Sequence, residues 1–209
     1  MKSKWLGFLL ILLAFGVTLF CYRMLPEQFP IHWGIDGSVD RYEHKAFGAF
    51  LLPVIMLILV PLMLFLPKVD PRKDNYVRFG KTYELITNGI LLFLFVFQIL
   101  ALSLSLGWIH NTNYFIPVFL GVLFIFLGNY MPKIKQNYFF GIRTPWAIAN
   151  EDVWRRTHRF GGKVLVIAGI LFIGTILLPT SLQSTVIIIV LCVSLIITYL
   201  SSYFFFVKG

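Results

Sequence analysis

Two stretches of this 209-residue chain gather side chains able to do chemistry. The first, Pro26–Lys45, reads PEQFPIHWGIDGSVDRYEHK and sets His32, Asp36, Asp40 and His44 four residues apart. Imidazoles and carboxylates ligate zinc and calcium. This spacing, however, matches no closed zinc pattern, no thiol assists, and the acids do not alternate as in a calcium loop. Two readings stay open. One is a hydrated turn, for which Asp36-Gly37 is the signal. The other is a recognition surface built from His32, Trp33, Asp36, Gly37 and Asp40. The second stretch, Asn137–Gly162, reads NYFFGIRTPWAIANEDVWRRTHRFGG and combines two tryptophans, four arginines, His158 and an Arg143-Thr144-Pro145 turn. The chain contains no nucleophile–base pair, HExxH or GxSxG motif. Binding without a metal or cofactor is therefore the expectation, not catalysis.

The elements that must position these stretches are membrane helices. Apolar residues make up 58% of the chain and charged ones only 13%, against about a quarter charged in soluble domains. Six apolar runs approach the roughly 20 residues that cross a bilayer: Trp5–Leu25, Ala46–Leu66, Glu84–Leu106, Tyr114–Met131, Lys163–Thr180 and Ser184–Val207. Open sheet edges are not tolerated in lipid, so the fold class is all-α with six transmembrane helices. The first run is too long for a signal-peptide core and no small-x-small site follows it, so it reads as an uncleaved span. Cys21 and Cys192 lie within runs and suggest buried thiols without a disulfide framework. Residues 1–83 are expected to carry two helices and the loop 26–45. Residues 84–209 then carry four helices and the loop 132–162, all in one membrane domain.

Charge orients the bundle. Fifteen of the 18 Lys and Arg residues fall at the two ends, in the second connector and in the fourth connector with adjoining Lys163, while the third and fifth connectors have none. The positive-inside rule then places both termini and the fourth connector in the cytosol and loop 26–45 outside. The same rule accounts for the net charge of +9 without nucleic-acid binding, and the cations suit anionic headgroups.

Within the fourth connector, Gly141 suits a positive φ, and Pro145 holds Thr144 extended. Asn150 is a good N-cap, with Glu151 and Asp152 at the positive dipole end. Glu151–Arg155 and Asp152–Arg156 are spaced as i,i+4 pairs, and Gly161-Gly162 suits a helix stop. Val153, Thr157 and Phe160 share one side with Trp154 flanking, the pattern of a short amphipathic helix lying in the headgroup layer. A docking surface for a cytosolic partner and part of a pocket at the helix ends are the other readings. No ionisable residue lies mid-span. Asn88, Gln98, Ser103, Ser105 and Asn129 suit hydrogen bonding within the bundle, and Pro53 and Pro61 suggest kinks. A small peptide or lipid transporter is an alternative that this sparse polar content supports little.

The outer stretch resembles the amino-terminal domain of unknown function of SdpI-type membrane proteins. The inner stretch resembles the second signature of that group, the SdpI/YfhL immunity proteins of Gram-positive bacteria. Together with the six-span layout the likeness covers nearly the whole chain. The pattern falls on His32, Trp33, Gly37 and Asp40 outside, and on Asn137, Gly141, Arg143, Thr144, Pro145, Trp154 and Gly161 inside; Gly34 departs from an expected Asn. The resemblance implies a plasma-membrane protein that protects its cell from a secreted, membrane-active peptide toxin of the sporulation-delaying type. It also implies a second role, as a receptor drawing a cytosolic transcriptional repressor to the membrane. Arg155, Arg156 and His158 join the inner set as residues that hold or present it.

Overall fold

The computed structural model describes residues 4–33, 39–110 and 114–208; Asp36 and Gly37 lie outside these, as does Gly34. Among the described residues, six helices are long and apolar enough to cross a membrane. They are α1 (Lys4–Cys21), α2 (Lys45–Val69), α3 (Lys73–Ser105), α4 (Phe115–Tyr130), α6 (Glu151–Gly174) and α7 (Thr180–Val207). A five-residue helix, α5 (Pro145–Ala149), precedes α6, and two short strands, β1 (Gln28–Trp33) and β2 (Val39–His44), pair between α1 and α2. Large apolar side chains stay exposed along the helices, among them Leu195 at 61%, Leu200 at 57% and Ile58 at 61%. Such faces are stable against lipid tails and not against water.

Two helices start well before their apolar runs. The second connector is mostly helical, with α3 beginning at Lys73. Asp70 accepts the Arg72 N–H through Oδ1 at 2.7 Å, and Pro71 between them has no donor to lose. The fourth connector is likewise shorter than expected. Asn150 caps α6 by accepting from the N–H groups of Asp152 and Val153, as anticipated, but the helix runs unbroken to Gly174. Gly161 and Gly162 are therefore not a stop. Nor is 150–162 a separate interfacial helix: it forms the first turns of a long one, and Val153, Trp154, Thr157 and His158 on its amphipathic face are buried in protein.

Contacts divide the chain into two compact units. The first comprises Met1–Phe65 and Glu84–Thr112. Its apolar core joins Leu10, Ile11 and Ala14 of α1 to Met56 and Val60 of α2 and Leu91 of α3. Gln98 of α3 is buried there and its amide donates to Thr18 Oγ1 at 2.8 Å and to the Ala49 carbonyl at 2.9 Å. That carbonyl would ordinarily pair with the N–H four residues on, but residue 53 is proline. Gln98 thus satisfies the acceptor that Pro53 leaves open.

The second unit comprises Leu66–Tyr83 and Asn113–Gly209. Here α4 and α6 run antiparallel in close approach. A Cβ on Gly121 would lie 2.5 Å from the Gly169 carbonyl oxygen, and one on Gly128 would lie 2.6 Å from that of Gly162. The glycines recur seven residues apart on both helices, which puts each pair on one seam and lets backbone meet backbone. Gly162 therefore belongs to a helix contact.

Candidate functional site

The first connector is a hairpin. Gln28 pairs with His44, Phe29 with Glu43 and Pro30 with Tyr42, with irregular register from Pro30 to Trp33. Phe29 is buried, in the cluster that also holds Leu25 and Ala49, with Ile31 packed against it, while His32 is turned out. The strand pairing brings His32 to Asp40, Nδ1 to Oδ1 at 2.6 Å. At the base, Glu27 meets Lys45 at 2.7 Å, and the ammonium holds the Glu27 carboxyl below its ordinary range. His44 sits 3.4 Å from the same carboxylate. Of the expected recognition residues, His32 and Asp40 are adjacent and exposed, and Trp33 pairs through its backbone with Val39.

The second unit holds a denser constellation at the connector between α4 and α6. Asn137 is fully buried and makes five hydrogen bonds. Its amide donates to the carbonyls of Lys135 (2.8 Å) and Phe140 (2.9 Å). Its oxygen accepts from the N–H groups of Phe139 (2.9 Å) and Phe140 (2.6 Å) and from Tyr76 Oη (3.2 Å). Asp70 closes the other side. Its Oδ2 accepts from Tyr76 Oη at 3.1 Å and from the Tyr138 N–H at 2.9 Å. Beside it Gln136 donates to the carbonyls of Ala147 and Ile148, both at 2.9 Å, and Asn75 donates to the Gln136 carbonyl at 2.8 Å. The connector is irregular, so its backbone groups have no ladder; these side chains supply the partners.

His158 organises the other half. Its Nδ1 donates to the Trp154 carbonyl at 2.9 Å and its Nε2 accepts the Ile142 N–H at 3.0 Å. This pair of roles selects the neutral imidazole with its proton on Nδ1. The ring stacks on Trp154 with centroids 4.0 Å apart, and Trp154 Nε1 donates to the Ile134 carbonyl at 2.9 Å. Gly141 has a φ of 106°, and a Cβ there would lie 2.4 Å from His158 Nε2. Glycine is required on both counts. Gly161 likewise leaves room for Ile142, whose Cδ1 lies 2.4 Å from where a Cβ would be.

Thr144 caps α5, accepting the Ala147 N–H at 3.2 Å, while its hydroxyl bonds Ser202 of α7. Pro145 is the first residue of α5, and Trp146 behind it lies against Tyr199 and Tyr203. Arg143 is exposed and ties back to the Tyr138 carbonyl at 2.8 Å. Arg155 bonds Asp152 in place of the expected Glu151, and Arg156 reaches Asp152 at 3.9 Å while lying over the Phe205 ring. Asp152 sits one turn below both arginines and Glu151 only below Arg155, so one carboxylate serves two cations. Beside this knot is a cleft of about 500 Å³ lined by Arg78, Lys135, Glu151, Asp152, Trp154 and Arg155.

The predicted inner set is therefore brought together, in two roles. Asn137, Gly141, Thr144, Trp154, His158 and Gly161 hold the connector, and both nitrogens of His158 are engaged. Arg143, Pro145 and Arg155 lie on its surface with Tyr138 and Phe139. Sequence reasoning missed Asp70, Tyr76 and Gln136. An Asp-Pro step just outside an apolar run was the available signal for the first.

Comparisons with known proteins bear on the whole of this arrangement. Residues 133–203, which contain most of the connector knot with α6 and most of α7, match the SdpI/YfhL protein family. Residues 9–57, which contain the hairpin, match a domain of unknown function (DUF1648). The immunity protein SdpI of Bacillus subtilis (strain 168) is 29% identical over 208 residues, covering 100% of this chain and 98% of that protein. The carboxyl-terminal third of the chain thus matches the SdpI/YfhL family, and the whole chain is similar to an immunity protein. An uncharacterized membrane protein of the same organism, YbgB, is 35% identical over 48 residues, 23% of this chain and 53% of that protein. No solved structure matches the chain. Six apolar helices, together with this similarity, make it a multi-pass membrane protein.

Proposed function

We propose that this protein is an immunity protein, protecting its cell from a secreted membrane-active peptide toxin of the sporulation-delaying type by binding and without catalysis. The observation that carries this reading is the collinear similarity, end to end, to a protein named for immunity. The geometry supports it: the polar residues of the connector are engaged in holding a loop, and what remains outside is a surface.

In this reading both termini and the connector knot face the cytosol and the hairpin faces out, as the Lys and Arg distribution favours. His32, Trp33, Asp36, Gly37 and Asp40 then form the surface that meets the toxin. The inner platform of Tyr138, Phe139, Arg143 and Arg155 is suited to a cytosolic protein partner such as a transcriptional repressor. The test is membrane potential in a toxin-sensitive Gram-positive host expressing the chain, after addition of the sporulation-delaying peptide. Potential should survive only in expressing cells and be lost when His32 and Trp33 are both changed to alanine. Equal collapse with and without a membrane-inserted chain overturns the immunity reading. Full protection by the double variant overturns the hairpin's part in it.

A further inference from the structure

A second concavity lies on α4 and α6, of about 540 Å³, lined by Gly128, Arg159, Gly162, Lys163, Val166 and Ile167. Gly128 and Gly162 form its floor, where the two backbones meet: a Cβ on Gly128 would lie 2.6 Å from the Gly162 carbonyl oxygen, and no side chain of either glycine rises into the groove. Its two ends differ in chemistry. At one end Arg159 and Lys163, one turn apart, point out from the same face of α6. Among the described residues neither has a carboxylate partner, whereas Arg155 and Arg156 just before them share Asp152. At the other end Val166 and the exposed Ile167 (57%) begin the stretch of α6 that carries no charge; Lys163 is its last ionisable residue.

We propose that this groove binds one anionic phospholipid, its phosphate on Arg159 and Lys163 and an acyl chain laid over Gly128, Gly162, Val166 and Ile167. The depth is right for such a ligand. The cations stand where the helix passes from polar to apolar, the level of headgroups, and the groove continues into the hydrocarbon. Unpaired cations one turn apart fit a phosphate better than a zwitterionic headgroup, whose own choline competes for it.

The test is native mass spectrometry of the full chain in mild detergent with equimolar phosphatidylglycerol and phosphatidylcholine. One phosphatidylglycerol should be retained in preference. The double variant Arg159→Gln with Lys163→Gln should weaken its retention roughly thirtyfold, from about one headgroup interaction per cation. The variant Lys68→Gln with Lys73→Gln changes net charge equally, at exposed positions outside the groove, and should leave retention as it was. If that control loses the lipid equally, the attraction is the general basic field and the site is overturned. Val166→Phe fills the groove without touching its charge and should expel the lipid; continued retention overturns the acyl-chain placement. Displacement of phosphatidylglycerol by inorganic phosphate at comparable concentration would make this a free-phosphate site and overturn the proposal as well.

Discussion

Replacing Asn137 by alanine tests the connector knot most directly. The change removes five hydrogen bonds at a side chain that is 0% exposed. Tyr76 keeps Asp70 as a partner, so the groups left open are the N–H of Phe139, both backbone groups of Phe140 and the Lys135 carbonyl. Each net bond is worth about 1 kcal/mol, and water can reach those at the exposed rim, so the expected loss is about 3 kcal/mol. The loss is local, because α3, α6 and their apolar contacts do not depend on this amide. Hydrogen exchange of the amides in 135–142, on the full chain in nanodiscs, reads it as a roughly hundredfold faster opening. Asn129→Ala is the control, since among the described residues that amide bonds the Ile125 carbonyl of its own helix at 3.0 Å. If Phe139 and Phe140 exchange in Asn137→Ala as in the parent, the side chain does not hold the loop and the account of the knot is wrong.

Other outcomes follow from the same geometry. Gly141→Ala adds a disfavoured φ and a contact with His158, and should lower thermal stability in detergent by about 3 kcal/mol, read by circular dichroism. Gly169→Ala drives a methyl against the Gly121 carbonyl and should cost about 1–3 kcal/mol in the same assay. Gln98→Leu exposes the Ala49 carbonyl and should cost about 1–3 kcal/mol. Adding Pro53→Ala restores a backbone donor to that carbonyl, so the double variant should lose less than the sum of the singles. Strict additivity would show that Gln98 does not serve the proline gap.

The connector shows why a site can be legible in its members and not in its roles. The run from Asn137 to Gly162 is conspicuous because cations, tryptophans and an Arg-Thr-Pro turn are rare in so apolar a chain. Its helix face, though, reads as lipid-facing from periodicity alone. Amphipathicity states that one side is apolar and is silent on whether lipid or protein covers it. In the structure Val153, Trp154 and Thr157 are covered by protein. The Gly161-Gly162 pair misleads for a related reason. Glycine stops a helix where the helix is isolated, but it continues one where a neighbour comes close enough to reward the missing side chain.

What the sequence by itself determined is the membrane character and the six helices, because length and hydropathy act locally. The hairpin pairing of loop 26–45, the length of α3 and α6, and the meeting of Tyr76 with Asn137 and of Asp70 with Tyr138 were decided by tertiary structure alone. A buried irregular loop must find hydrogen-bond partners, and those partners come from whichever segment the helices carry alongside it, which no local pattern encodes.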